Sequence, residues 1–151
     1  MSYDSTKDTL EHILKVSEFL WDCCIELDHR AYIHDASKLR EPEKSVFDEF
    51  TPKLKDSTYG SEEYKDFLTS MGVALEHHYA ANDHHPEHHE HGFADMNLLQ
   101  MVEMLCDWKA ATLRHTDGDL GRSITQSAER FGYGPEIEQL LRNTARDMGW
   151  L

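Results

Sequence analysis

Between Lys7 and Asp28 the apolar residues Leu10, Ile13, Leu14, Phe19, Leu20, Trp21, Cys24 and Leu27 form a broad stripe of helical period. Such spacing runs down one face of an α-helix and does not suit a strand, whose faces alternate every second residue. The same period recurs along the chain. It predicts a break near His29 and Arg30, a short second helix carrying "AYIHDASKL", and a third helix with Pro42 in the first turn of "EPEKSVFDEF". Thr51 to Gly60 reads as a loop, marked by Pro52 and a Ser-Thr-Tyr-Gly run. A long helix follows from about Ser61, its inward positions being Tyr64, Phe67, Leu68, Met71, Leu75 and His78, with Asn82 next in phase. Asp83 to Gly92 interrupts the pattern. Leu98, Leu99, Val102, Leu105 and Cys106 then mark a helix from about Asp95 to about His115. "TDGDLG" reads as a turn, "RSITQSAERF" as a shorter helix, and Pro135 opens a last helix ending near Gly149. No repeat, β alternation or linker is visible. The expectation is an all-α fold, a compact single-domain bundle of about six to seven helices over residues 1–151.

A chain of 151 residues supplies one hydrophobic core. No apolar run reaches the roughly 20 residues that span a bilayer, and "MSYDSTKDTLEH" has neither a basic stretch nor an apolar one of signal-peptide type. A cytoplasmic protein with no membrane partner is expected. The three cysteines agree: their number is odd, and Cys23 and Cys24 are neighbours within a helical pattern, unlike a disulfide framework. They read as small core residues. A formal net charge of −14 argues against an extended nucleic-acid surface, which needs clustered cations. It leaves room for a small phosphorylated ligand, because a metal ion can supply positive charge locally.

Seven of the eleven histidines fall in "HHYAANDHHPEHHEH", residues 77–91, which directs attention to metal chemistry. Imidazole suits Zn, Fe, Ni and Cu, and admixed carboxylate extends the range to Mn and Co. His88, His89 and His91 read as a solvated stretch between Pro86 and Gly92. His78 is different, because helical phase carries it to the apolar face; it is a ligand or a hydrogen-bonded core histidine. "YIHDASKL" sets His34 beside Asp35 in apolar surroundings, and burying that carboxylate is costly without compensation. Asp107 stands between Cys106 and Trp108 in an otherwise apolar helix, with Glu103 one turn back. Lys38, one turn past His34, is either a phosphate contact or a helix-end cation. Arg30, Lys109 and Arg114 are not distinguished from ordinary surface cations.

"YIHDASKL" resembles the second-helix signature of the HD-domain metal-dependent phosphohydrolases: two apolar residues, His-Asp, any residue, Gly or Ser, and Lys. Members of that superfamily carry a histidine on a first helix, the His-Asp pair on a second and an aspartate on a much later one. His12 in "LEHILKV", His34 and Asp35, and Asp107 in "EMLCDWKA" match that order. A closer similarity is to a small, sparsely characterised set of phage and bacterial HD-like proteins that combine "HDxSK", "HHxxxNxHHPE" and "EMxxDW". Here these segments are His34 to Lys38, His77 to Glu87 and Glu103 to Trp108. Ser37 stands where many HD proteins have glycine.

The resemblance implies an HD-type bundle whose helices converge on one or two divalent transition-metal ions (Mn, Fe, Co, Ni or Zn). Consecutive helical residues point about 100° apart, so His34 and Asp35 would both reach an ion only at the edge between their directions. Some HD proteins add two histidines in the interval occupied here by His78 and His84 or His85. The implied ligand set is His12, His34, Asp35, His78, His85 and Asp107, with His84 and His77 as alternates and Asp35 as the bridge. Asn82 would orient a ligand or touch substrate. The implied activity is hydrolysis of a nucleotide or other small phosphorylated substrate, with Asp35, Lys38 and Glu103 in catalytic roles and Lys38 and Asn82 contacting substrate. Two rival readings accompany it: a mixed-valence di-iron oxygenase resembling myo-inositol oxygenase or a phosphonate-cleaving oxygenase, with the same ligands, and a non-catalytic metal-binding interaction protein. Arg40 to Gly60, with Phe47, Phe50 and Tyr59, either covers substrate or packs on the bundle. Ile137, Leu140, Leu141 and Met148 form a core face or a homodimer contact.

Overall fold

The computed structural model describes residues 3–57, 61–114 and 117–151. These residues are helical, with six α-helices and no strand among them. The chain divides into two compact units, residues 1–34 and residues 35–151.

The first unit is essentially one helix, α1 (Thr6–Ile33). No break occurs at His29 and Arg30. Neither residue is a helix breaker, and Arg30 pairs with Glu26 one turn back at 3.2 Å, holding the last turn together. The predicted second helix is therefore absent, and "AYI" completes α1. A lone helix offers its apolar stripe nothing to pack on within its own unit. Cys23 and Cys24, expected in a core, are accordingly exposed.

The second unit opens at Asp35, whose φ of 55° lies in the left-handed region. Among non-glycine residues, aspartate and asparagine adopt that conformation most readily. A short 3-10 turn, Ala36–Leu39, follows. The His-Asp pair thus falls between the end of a helix and a 3-10 turn, not at consecutive positions on one helix. Helix α2 (Glu43–Asp56) begins just after Pro42 and continues through Pro52, where a loop was expected. Pro52 lies on the exposed side, where the lost donor is tolerable, and the Lys53–Glu49 pair at 2.7 Å supports the same turns. Phe50 meets Phe67 with ring centroids 6.2 Å apart, favouring the packing role for this segment; Tyr59 lies outside the described residues.

Helix α3 (Glu62–Ala81) is capped by Ser61, whose hydroxyl accepts from Tyr64 N at 3.1 Å. Gly72, with φ 44° and ψ −119°, kinks it midway, and the second half carries His77 and His78. Two short 3-10 turns, Pro86–His88 and Gly92–Asp95, occupy the histidine-rich interruption. Helix α4 (Leu98–Thr112) starts with a capping box: Asn97 Oδ1 accepts from Gln100 N at 3.0 Å, and Gln100 Oε1 accepts from Asn97 N at 2.8 Å. His115, where that helix was expected to end, is outside the described residues. Helices α5 (Leu120–Phe131) and α6 (Pro135–Asp147) complete the unit.

The main core joins α4, α5 and α6: Met104, Leu105, Leu120, Ile124, Leu141 and Ala145, with Phe93 and Met96. Of the face predicted on the last helix, Leu141 is in this core and Ile137 packs against it, whereas Leu140 and Met148 are exposed. Tyr133 Oη also ties this core, donating to the Ile124 carbonyl at 2.6 Å. Burial, reinforced by the charge of Glu138, pushes its phenol above the ordinary value of 10.0. An unfolded chain releases that proton near pH 10 and the folded chain holds it. The bond's contribution is therefore complete below that pH and is lost as pH rises beyond it. Tyr133→Phe should cost about 1 kcal/mol at neutral pH and flatten the fall of melting temperature above pH 10, as thermal melts across that range would record.

A candidate metal centre

Five of the predicted ligands and alternates come together in the second unit. The donor atoms of Asp35, His78 and His85 lie within 4.8 Å of one another, as do those of His84, His85 and Asp107. The two groups share His85, so both aspartates face the same imidazole despite their distance in sequence. Asp35 Oδ1 is 3.4 Å from His78 Nε2 and 3.7 Å from His84 Nε2. His78 Nε2 is 2.9 Å from His85 Nε2. His12 and His34 belong to the first unit.

Local structure explains each placement. His78 sits on the inward face of α3 and is 2 % exposed, as its phase requires. Asn82 ends α3: its Nδ2 donates to the His78 carbonyl and to Ser37 Oγ, both at 2.8 Å. Those bonds tie the end of α3 to the Ala36–Leu39 turn. The turn after Asn82, closed by a bond from His85 N to the Asn82 carbonyl at 3.2 Å, brings His84 and His85 back toward α3. Asp107 comes from α4. Asp35 is turned in by its left-handed backbone. Both His84 and His85 take part, although one of the doublet was expected to suffice.

Two carboxylates stand behind the imidazoles. Glu43, completely buried, accepts Ser37 Oγ at 2.9 Å and lies 3.0 Å from His78 Nδ1 and 2.7 Å from His77 Nδ1. His77 therefore turns its Nδ1 to Glu43 and is in neither donor group. Glu103 Oε1 lies 3.1 Å from His84 Nδ1. Glu43 was not anticipated. Its sequence signal is an acid in helical phase with Val46, Phe47 and Phe50, where an apolar residue would ordinarily stand.

The donors suit a metal ion. Burial lowers the pKa of His85 to about 3, helped by repulsion from His84 and His78. Burial also lowers that of His78, with the charge of Lys38 adding to it and Asp35 and Glu43 opposing it. Both rings are neutral at physiological pH and offer nitrogen lone pairs. Imidazoles interleaved with two carboxylates match the preferences of Mn, Fe, Co, Ni and Zn. One cation belongs to the site itself: Lys38 Nζ is 2.6 Å from Asp35 Oδ2 and 4.8 Å from the centre of the Phe47 ring. Phe47 in turn meets the His78 ring edge-on at 5.5 Å. His88 and His91 are exposed, and His91 pairs with Asp95 at 2.9 Å, away from either donor group.

A family model described as a family of unknown function, DUF5662, matches residues 1–147. The chain belongs to DUF5662. No curated protein and no solved structure matches it. The DUF5662 match extends over both units. Among the described residues, no helix is long and apolar enough to cross a membrane.

Proposed function

We propose that this DUF5662 protein is a metal-dependent phosphohydrolase acting on a nucleotide or another small phosphorylated substrate. The observation carrying this reading is the pair of overlapping donor groups, Asp35–His78–His85 and His84–His85–Asp107, with Lys38 beside Asp35. The HD-like signature supplies His12 and His34 as additional ligands and Asp35 as the bridge. A divalent ion in such a site supplies a nucleophile at neutral pH and offsets charge on phosphoryl oxygens.

The chain's own residues divide the remaining work. Asp35 and Asp107 contribute negative charge that retains the ion, and the neutral imidazoles complete its shell. Lys38 stands close enough to Asp35 to exchange that partner for a phosphoryl oxygen when substrate enters, acting as a compact point charge. The Lys38 ammonium stands over the face of the Phe47 ring, which attracts its charge. The acidic surface favours small anionic substrates that can be drawn to a local cation over long polyanions that would meet the whole field.

The test is turnover of a panel of nucleotides and sugar phosphates by purified full-length protein loaded with Mn, Co or Ni. Phosphate or nucleoside release that disappears on chelation and returns with metal is the expected result. Absence of release, with substrate-dependent oxygen uptake by anaerobically purified iron-loaded protein, would replace this reading with the oxygenase one.

A further inference from the structure

We infer that Glu43 and Glu103 are a matched pair of positioning residues, each fixing the proton of one ligand imidazole on Nδ1 so that its Nε2 lone pair faces Asp35. The inference rests on the metal-centre reading above and extends it to residues outside the donor set. The two arrangements correspond. Glu43 Oε2 is 3.0 Å from His78 Nδ1, whose Nε2 is 3.4 Å from Asp35 Oδ1. Glu103 Oε1 is 3.1 Å from His84 Nδ1, whose Nε2 is 3.7 Å from the same oxygen. The carboxylates come from different helices, α2 and α4, yet stand in the same relation to one aspartate oxygen.

The surrounding bonds fix the direction of the proton at His78. Asn82 Nδ2 has two hydrogens, and two good acceptors lie at 2.8 Å, the His78 carbonyl and Ser37 Oγ. The Ser37 hydroxyl, accepting from Asn82, donates to Glu43 Oε2 at 2.9 Å. Glu43 accepts a hydrogen bond from Ser37, and an ionised carboxylate has no hydrogen to give, so the proton in its contact with His78 belongs to the ring's Nδ1. The short Asn82–His78 Nδ1 separation of 3.1 Å then joins two donors and carries no bond. A free imidazole carries its proton mainly on Nε2, the wrong atom for a ligand pointing inward. A carboxylate behind the ring reverses that preference, orients the ring and raises its basicity. Both glutamates are buried, and neither lies in a donor group itself. This makes Glu103 a positioning group and gives buried Glu43 a use beyond packing.

Long-range proton–nitrogen correlation spectra of the metal-free full chain read the tautomers directly. Nδ1-protonated rings are expected at His78 and His84 in the wild type. Glu43→Gln and Glu103→Gln should each weaken Co²⁺ binding, measured by titration calorimetry, by about 10- to 100-fold while circular dichroism shows an unchanged helical signal. An Nε2-protonated ring at either histidine overturns the inference, as does unchanged affinity in both folded variants. Should a variant fail to fold, the wild-type spectra still decide. A wild-type chain that binds no cobalt would sink the metal-centre reading instead, leaving the tautomers to judge the positioning role alone.

Discussion

Replacing Asp35 should reduce metal-dependent phosphate release by about a thousand-fold or more while the protein remains helical. An ion contributes several kcal/mol of charge stabilisation in such reactions, and each factor of ten in rate corresponds to about 1.4 kcal/mol. Asp35 has donor atoms near both His78 and His84, so removing its carboxylate weakens the centre from two sides. The choice of variant matters because φ at this residue is 55°. Alanine there carries a left-handed penalty of roughly 1–2 kcal/mol, whereas asparagine is well tolerated. Asp35→Asn is thus the cleaner chemical test, and Asp35→Ala should show the same loss of turnover with a lower melting temperature. Steady-state kinetics with circular dichroism on both variants checks this. Turnover within a few-fold of wild type in Asp35→Asn would remove Asp35 from the mechanism.

Removing the metal should lower the melting temperature by about 5–10 °C. A ligand held at a hundred times its dissociation constant stabilises the folded state by about 2.7 kcal/mol. For a chain of this size each kcal/mol moves the midpoint by roughly 2–4 °C. The physical source is local: the His78 ring nitrogen lies 2.9 Å from that of His85 and 3.4 Å from Asp35 Oδ1, and a cation among these donor atoms offsets the repulsion between their lone pairs. Differential scanning calorimetry before and after chelator treatment reads the shift. Re-addition of Mn or Co should restore it, and Asp35→Asn should show much less of it. A midpoint unmoved by chelation and metal return would argue that the cluster is held by its own hydrogen bonds.

Much of this site was legible in the sequence, for reasons that differ by residue. His78 declared itself by helical phase, because a polar residue on an apolar stripe is buried wherever the helix packs. Asp107 was marked instead by its neighbours Cys106 and Trp108 in an apolar stretch, with Glu103 one turn back. Period alone could not locate the chain's turn at Asp35. That turn depends on a left-handed aspartate, while the Glu26–Arg30 pair prolongs α1 past the expected break. Nor did it show that α2 outlasts Pro52, because a proline's cost depends on whether its side of the helix is covered. His84 and His85 follow a turn after Asn82 whose geometry no periodicity describes, so the doublet could not be resolved. Glu43 remained hidden because its partners, Ser37, His77 and His78, come from other segments and only the folded chain assembles them.

The central claim is that imidazoles and carboxylates from separate segments surround a transition-metal ion. Elemental analysis of the as-isolated protein, with anomalous diffraction from its crystals, tests it most directly. The account predicts at least one stoichiometric transition metal, with its anomalous peak in contact with Asp35, His78 and one or both of His84 and His85. Protein free of metal that takes up none on reconstitution, with those nitrogens hydrogen-bonded only to one another, would contradict it.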